Sequence, residues 1–471
     1  MGSRWNNAAL IGLGILAGIA ASMQFSALAQ KPVEQGLPLE ELRQLADVYG
    51  LIKSDYVEPV DDRKLLTEAI NGMVAALDPH SAYLDQKAYR ELREGTEGRF
   101  VGLGIEVVST DDGYVRIIAP IEGSPAERAG LRAGDVITRM DGVSVQGLGL
   151  DETVKRMRGE PRTKVALSIV RSGLAQPFDI SVMREEIHQR SVKARMVEPG
   201  YAWLRIAQFQ EPTLEDLVKQ MLKLYAENPD LKGLVLDLRN DPGGLVQGAI
   251  GVAAAFLPRD VEIVATNGQL AEAKQTFYSR PEFYSLRGED ALARLPAAVK
   301  DLPLVVLVNG GTASASEIVA GALQDYKRAA ILGSQTFGKG SVQTIRPLLK
   351  DTAVKLTTAR YYTPSGRAIQ AKGIIPDFAV DEWPDGDLND LRLREADLER
   401  HLRGEGGAEP APARSAAELA AAARLAAARK PVDYGSAADF QLQQALRHLK
   451  GQSVQLSRSV AARYGQLERH P

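Results

Sequence analysis

NGGTASAS, residues 309–316, stands between two segments of different periodicity. Before it, PLVVLV at 303–308 is a short β-branched apolar run, the pattern of a strand buried on both faces. After it, Ile318, Val319, Ala322 and Leu323 recur at helical spacing. The spacing predicts a strand–turn–helix unit with Ser314 at the helix start, and a buried strand of this kind belongs to a layered α/β core. The position also suits chemistry. Free amides and the positive dipole end of a helix favour an anionic oxygen, and the amide of Ala315 comes free at this helix start.

A serine needs a base to become a nucleophile. The five histidines, at 80, 188, 401, 448 and 470, lie outside glycine-rich turns, and His80 in the DPHS segment 78–81 is the strongest rival base among them. Lys339 does lie in such a turn, in TFGKGSVQ (336–343), 25 positions after Ser314. A lysine serves as general base when burial strips water from its ammonium and lowers its pKa. Taken alone, ASAS and GKG read equally well as a small-residue helix start and a surface turn.

The surrounding chain alternates strand and helix signals. Strands are predicted at 201–206, 233–238 and 329–332 and an amphipathic helix at 213–228. Residues 39–92 show helical spacing, broken by the turn chemistry of Asp78-Pro79. Residues 100–173 turn to short strands and glycine-punctuated turns. Between 267 and 302 the pattern weakens, which fits either a cap over a cleft or a plain surface excursion. An Ala/Gly/Glu/Arg/Pro-rich stretch at 403–430 reads as a linker running into a helix, and Phe440, Leu442, Leu446 and Leu449 mark a terminal helix that packs on its own fold or a sister subunit.

At 471 residues the chain has room for two or three domains, and its net charge of −3 gives no field calling for nucleic acid. It contains no cysteine, which excludes thiolate metal sites and disulfides. HExxH, Walker, dinucleotide and GxSxG patterns are missing from the sequence, so no cofactor or metal is predicted. Residues 5–30 carry no charge and end near an A-x-A site at Ala27-Leu28-Ala29. That segment predicts an exported, periplasmic protein, the leader either cleaved or kept as an inner-membrane anchor.

Four segments, DLRNDPGG (237–244), ASASEIVAGALQD (313–325), GSQTFGKGSVQ (333–343) and YYTPSGRAIQAKGIIPD (361–377), follow in the order of the carboxy-terminal processing, or tail-specific, proteases, which the chain resembles over most of its length. With the readings above, the chain is expected to be an α+β multidomain protein: a signal peptide or anchor at 1–29, a helical region at 30–97, a PDZ domain at 98–178, an α/β protease core at 179–400 whose crotonase/Clp-like type the resemblance implies, a linker at 401–432 and a C-terminal helical segment at 433–471. The resemblance further implies Ser314 as nucleophile, Lys339 as base and Gln343 as the neutral amide that orients the lysine. The oxyanion donors would be the amides of Ala315 and Gly244, with Gly243 the nearest alternative.

Phe100-Val-Gly-Leu-Gly-Ile105 and the GSPAERAGLRAGD segment 123–135 resemble a PDZ domain. In such a domain Val101, Gly102, Leu103 and Gly104 form a carboxylate loop, and Ile105 to Val107 the strand on which an extended peptide docks. Arg171 is a candidate link between this domain and the protease cleft. Implied partners are protein or peptide substrates with exposed C-terminal tails, a tetratricopeptide lipoprotein adaptor as in some relatives, and a second copy in a homo-oligomer. A non-catalytic PDZ scaffold or a peptide-binding chaperone on a protease-like core is the rival reading.

Overall fold

The computed structural model describes residues 37–110, 112–285, 288–384, 393–404 and 432–456. The leader at 1–29, most of the linker and the end of the C-terminal segment lie outside them. The chain divides into two units, Met1–Ile70 and Asn71–Pro471. In the first, the helix Leu39–Asp55 carries Glu40 and Glu41 in its first turn and Lys53 in its last, matching the helix dipole, and none of its residues is buried. Lys53 pairs with Asp62 at 2.6 Å, at the start of the helix Asp62–Ala75.

The second unit is built around a six-stranded sheet in the order Val192–Glu198, Tyr201–Ile206, Gly233–Asp237, Leu304–Val308, Ala330–Gly333 and Phe378–Ala379. The first pair is antiparallel and the rest are parallel. Every residue of Gly233–Asp237 and Leu304–Val308 is buried, as their unbroken apolar runs require. Leu234, Leu236, Val306 and Val308 face a core shared with the helices Thr213–Glu227, Val246–Phe256 and Ala315–Asp325. Val235, Val305 and Leu307 face the other way, onto Leu442, Ala445 and Leu446 of the C-terminal helix Phe440–Leu449. That helix therefore packs on its own chain.

Beyond apolar contact, the C-terminal segment supplies a buried ion cluster. Arg239, fully buried, donates to both oxygens of Asp237 at 2.9 and 2.6 Å and to both of Asp439 at 2.8 and 2.6 Å. Its guanidinium lies over the ring of Tyr434, 4.3 Å from the centroid. The Tyr434 hydroxyl accepts from Asn240 Nδ2 at 2.7 Å and donates to Glu382 at 3.0 Å, and Glu382 also accepts from Asn309 Nδ2 at 2.6 Å. The turns after both central strands are thus tied to the end of the chain.

A second, five-stranded antiparallel sheet holds Ala82–Leu84, Ser341–Pro347, Ala353–Tyr362, Glu262–Gly268 and Gln275–Tyr278. The glycine-punctuated region forms its own sheet, in the order Ile105–Ser109, Val115–Pro120, Val136–Met140, Lys164–Val170 and Phe178–Met183, over a core that includes Leu103, Ile117, Ile137, Leu167 and Ile169. Ile105–Ser109 is its edge strand.

Candidate active site

Ser314 caps the N-terminus of the helix Ala315–Asp325 with a φ of 55°, a conformation strained for any residue with a Cβ. Lys339 lies in the loop that enters the strand Ser341–Pro347, and Gln343 in that strand. All three line one cleft of about 700 Å³, together with Gly243, Gly244, Phe277 and Phe283. The last two come from the weakly patterned 267–302 region, which therefore contributes a wall to the cleft.

The loops of Ser314 and Lys339 are held together by a residue that the motif reading passed over. Glu317 is fully buried, and one of its oxygens accepts from the amides of Ser314 at 2.8 Å and Lys339 at 2.9 Å. The other accepts from the Gly338 amide at 2.8 Å and from the Thr336 hydroxyl. Burial pushes its pKa up to about 7 against the pull of these four donors. The Ser-x-x-Glu spacing of a capping box was the available signal. Further bonds fix the lysine loop: Phe337 N to Thr312 O at 3.0 Å, Ala371 N to Gly338 O at 2.8 Å and Gly340 N to Gln370 Oε1 at 3.0 Å. A Cβ on Gly340 would meet the Gln370 nitrogen at 2.2 Å, so only glycine fits there.

Lys339 is half-buried, and its ammonium has no hydrogen-bond or ion-pair partner among the described residues. Burial, aided by the charge of Lys355, holds its pKa below the ordinary lysine value against the pull of Glu395, Glu317 and Asp78. The Gln343 amide nitrogen donates to the hydroxyls of Ser341 at 3.0 Å and Thr357 at 3.3 Å, and Thr357 donates onward to Asp78 at 3.0 Å. This turns the Gln343 nitrogen away and leaves its carbonyl oxygen as the end able to accept from an ammonium. Asp78 also accepts from the amides of His80 and Ser81, so the DPHS turn anchors the chain behind Gln343.

His80 is spent elsewhere. Its Nε2 lies 2.8 and 3.0 Å from the oxygens of the buried Glu395, which also accepts from Gln370 at 2.9 Å. Ser316, inside the helix, donates to the Asp241 carbonyl at 3.1 Å.

The structure separates the oxyanion candidates. The Gly243 amide is occupied by Asp241 Oδ1 at 2.8 Å, whereas the amides of Gly244 and Ala315 meet no acceptor among the described residues. A Cβ on Gly243 would fall 2.8 Å from Ala315 N and 2.8 Å from Ser314 Cβ, so glycine here keeps open the space an oxyanion would need. Burial pushes the Asp241 carboxyl up to about 8.

In the domain of residues 105–183, a groove of about 260 Å³ runs between the edge strand and the helix Leu150–Met157, and Gly102, Leu103, Gly104 and Ile105 line it. Val101 is not in its lining; it sits in the strand Arg99–Gly102, opposite Glu186. Arg171 is not brought to the cleft. It grips the buried Asp135 through two bonds of 2.7 Å and the Gly130 carbonyl at 2.9 Å, all within its own domain.

Residues 200–380 match peptidase family S41, residues 116–171 a PDZ domain and residues 14–88 the N-terminal domain of the activating protease CtpB. A carboxy-terminal-processing protease of Bartonella bacilliformis is 44% identical over 369 residues, 78% of this chain and 81% of that protein. A probable CtpA-like serine protease of Staphylococcus aureus is 40% identical over 342 residues, 72% of this chain and 65% of its own length. Among solved structures, a photosystem II D1 C-terminal processing protease is 31% identical, covering 72% of this chain and 86% of that one with a TM-score of 0.41. The PDZ domain of the Vibrio cholerae carboxy-terminal protease in complex with peptide is 28% identical, covering 19% of this chain and 98% of that one with a TM-score of 0.18.

A layered α/β core with a separate PDZ domain is thus joined to the sequence of a serine-type peptidase. The chain belongs to peptidase family S41, the carboxy-terminal-processing proteases.

Proposed function

We propose that the chain is an exported endopeptidase that cleaves protein substrates through a Ser314–Lys339 dyad and engages their C-terminal tails with its PDZ groove. The observation that carries this reading is the unpartnered Lys339 ammonium, its pKa lowered by burial, in the cleft that holds Ser314. Neutral Lys339 takes the Ser314 proton as Oγ attacks the scissile carbonyl carbon. The amides of Gly244 and Ala315 hold the oxyanion that forms. As the C–N bond breaks, Lys339 returns that proton to the leaving amine, and an acyl-serine remains. A water then attacks the ester with Lys339 again as base, releasing the new carboxyl terminus and restoring Ser314. The Gln343 carbonyl oxygen, left free by the bonds of its nitrogen, would accept from the ammonium once Lys339 takes the Ser314 proton, and a neutral acceptor does not raise the lysine pKa as a carboxylate would.

Ser314→Ala and Lys339→Ala should each lower hydrolysis of an unfolded protein by roughly 10³-fold or more while keeping the wild-type melting temperature. Substantial residual turnover in either variant refutes the dyad. If both variants still suppress aggregation of that substrate as well as wild type does, hydrolysis is incidental and the chaperone reading stands. Wild-type activity should rise with pH as the Lys339 ammonium loses its proton, the mid-point lying below that of an ordinary lysine. Export is tested by mass spectrometry of protein from its native envelope, with an N-terminus at or near Gln30 expected for a cleaved leader. Recovery in the cytosolic fraction would overturn it.

A further inference from the structure

The PDZ groove has a feature that peptide docking on a strand edge does not require. The helix Gln86–Glu97, which precedes the domain, lays Glu94 along the groove wall, and Arg158, immediately after the helix Leu150–Met157, meets it there. Arg158 Nη1 donates to Glu94 Oε2 at 2.6 Å, with both side chains half-buried. The guanidinium also lies over the Phe100 ring, 5.4 Å from its centroid. It has no other hydrogen-bond partner among the described residues, so most of its donors remain free.

Arg158 stands where a tail would end. The amides of Leu103 and Gly104 meet no acceptor among the described residues, and the strand that follows them exposes its edge to the groove. A Cβ on Gly102 would lie 3.9 Å from the Met157 carbonyl oxygen, so the carboxylate loop abuts the end of the helix that carries Arg158. Arg184 pins that end, donating to the carbonyls of Met157 at 3.2 Å and Arg156 at 2.7 Å.

We propose that Arg158 recognises the terminal carboxylate of a substrate tail and that Glu94 is an internal anion that competes with the tail for it. This rests on the reading of the groove as a tail-binding site. Two carboxylates sharing one guanidinium in a narrow groove repel one another, so an arriving tail weakens or displaces Glu94. Glu94 therefore sets the affinity threshold for tails, and an amidated or internal peptide segment, which cannot compete for the cation, is refused.

The displacement occurs next to an anchor. Gly95 and Thr96, the two residues after Glu94, accept through their carbonyls from Gln210 Nε2 at 3.1 Å and Glu211 N at 3.0 Å. Phe209, next along, holds the candidate oxyanion turn, donating to the Gly243 carbonyl at 2.9 Å and accepting from Leu245 N at 2.8 Å. The residue after Glu94 is thus bonded to the segment that also holds the candidate oxyanion turn.

The test titrates the full chain, carrying Ser314→Ala to prevent cleavage, with a fluorescent peptide ending in three apolar residues as its free acid and as its amide. The parent should prefer the acid. Glu94→Gln should tighten the acid by roughly 3-fold and leave the amide unchanged. Arg158→Gln should weaken the acid by about 10-fold, to the level of the amide, and Arg158→Lys should keep part of the preference. If the parent prefers the acid but Arg158→Gln preserves that preference, or Glu94→Gln leaves acid binding unchanged, the role assigned to the pair is wrong while tail recognition survives. Equal binding of acid and amide by the parent overturns both.

Discussion

Glu317 and Asp237 are both completely buried carboxylates at the ends of the central sheet's connections, yet they are held by opposite means. Asp237 faces the C-terminal helix. Burial alone would raise its pKa, but the charge and hydrogen bonds of Arg239, with Arg205 3.3 Å away, outweigh burial and hold it below the usual carboxylate range. Glu317, under the cleft, meets two loop amides, the Ser314 amide and a hydroxyl, none of them charged, and burial prevails. A carboxylate locked by cations is a permanent ion that cements elements together. One held by neutral donors stays titratable and acts through direction, because each donor fixes a loop at one point.

The largest effect expected from this contrast is on the cemented side. Arg239→Met leaves Asp439 buried without its cation and Asp237 with Arg205 alone, and should cost about 3–5 kcal/mol of unfolding free energy in urea. A loss below 1 kcal/mol would mean that the two carboxylates take up protons or water readily, and the contrast would collapse. On the directional side, Glu317→Gln presents an N–H₂ group to donors that need an acceptor. Turnover should fall about 100-fold, or about 2.7 kcal/mol of barrier, with a smaller loss of stability. If stability falls as far as for Arg239→Met, Glu317 is a cement too.

The pH response separates the two without relying on activity. A carboxyl whose folded pKa is raised to about 7 contributes stability that is fully present below its ordinary value of about 4.5 and is lost as pH rises through 7. Asp237, depressed, contributes stability above the ordinary value that is lost as pH falls through its lower folded value. The melting temperature of wild type should therefore drop between about pH 5 and about pH 8, and Glu317→Gln should remove part of that drop, the part due to the raised Asp241 carboxyl remaining. The smallest effect belongs to Tyr434→Phe, which removes one hydroxyl bridging Asn240 and Glu382 and should cost about 1 kcal/mol.

Much of this was legible in the sequence, and the reasons are local. PLVVLV read as a buried strand and 233–238 as a strand, and the switch to helical spacing after Ser314 placed the candidate nucleophile at a helix start. Ser314, Lys339 and Gln343 were found as motifs, and the fold brings them to one cleft. What the sequence left unread are partners that local periodicity does not encode. Arg239 and Asp439 lie 200 positions apart. Arg171, read as a link between domains, is claimed by Asp135, whose own burial demands a cation. Val101 falls in a strand paired with Glu186, because the chain turns towards the groove only at Gly102. His80 is drawn to Glu395, 315 positions away, for the same reason that Arg171 is drawn to Asp135.

The dependence of Arg239 on Asp439 also has a consequence in time. A chain emerging from the ribosome exposes the strand Gly233–Asp237 and the turn after it long before residue 439. Until then Arg239 faces one carboxylate instead of two, the sheet face around Val235 and Leu307 lacks its covering helix, and Asn240 lacks Tyr434. The turn that carries Arg239 and Asn240 thus gains its full set of partners only after residue 439 has been made.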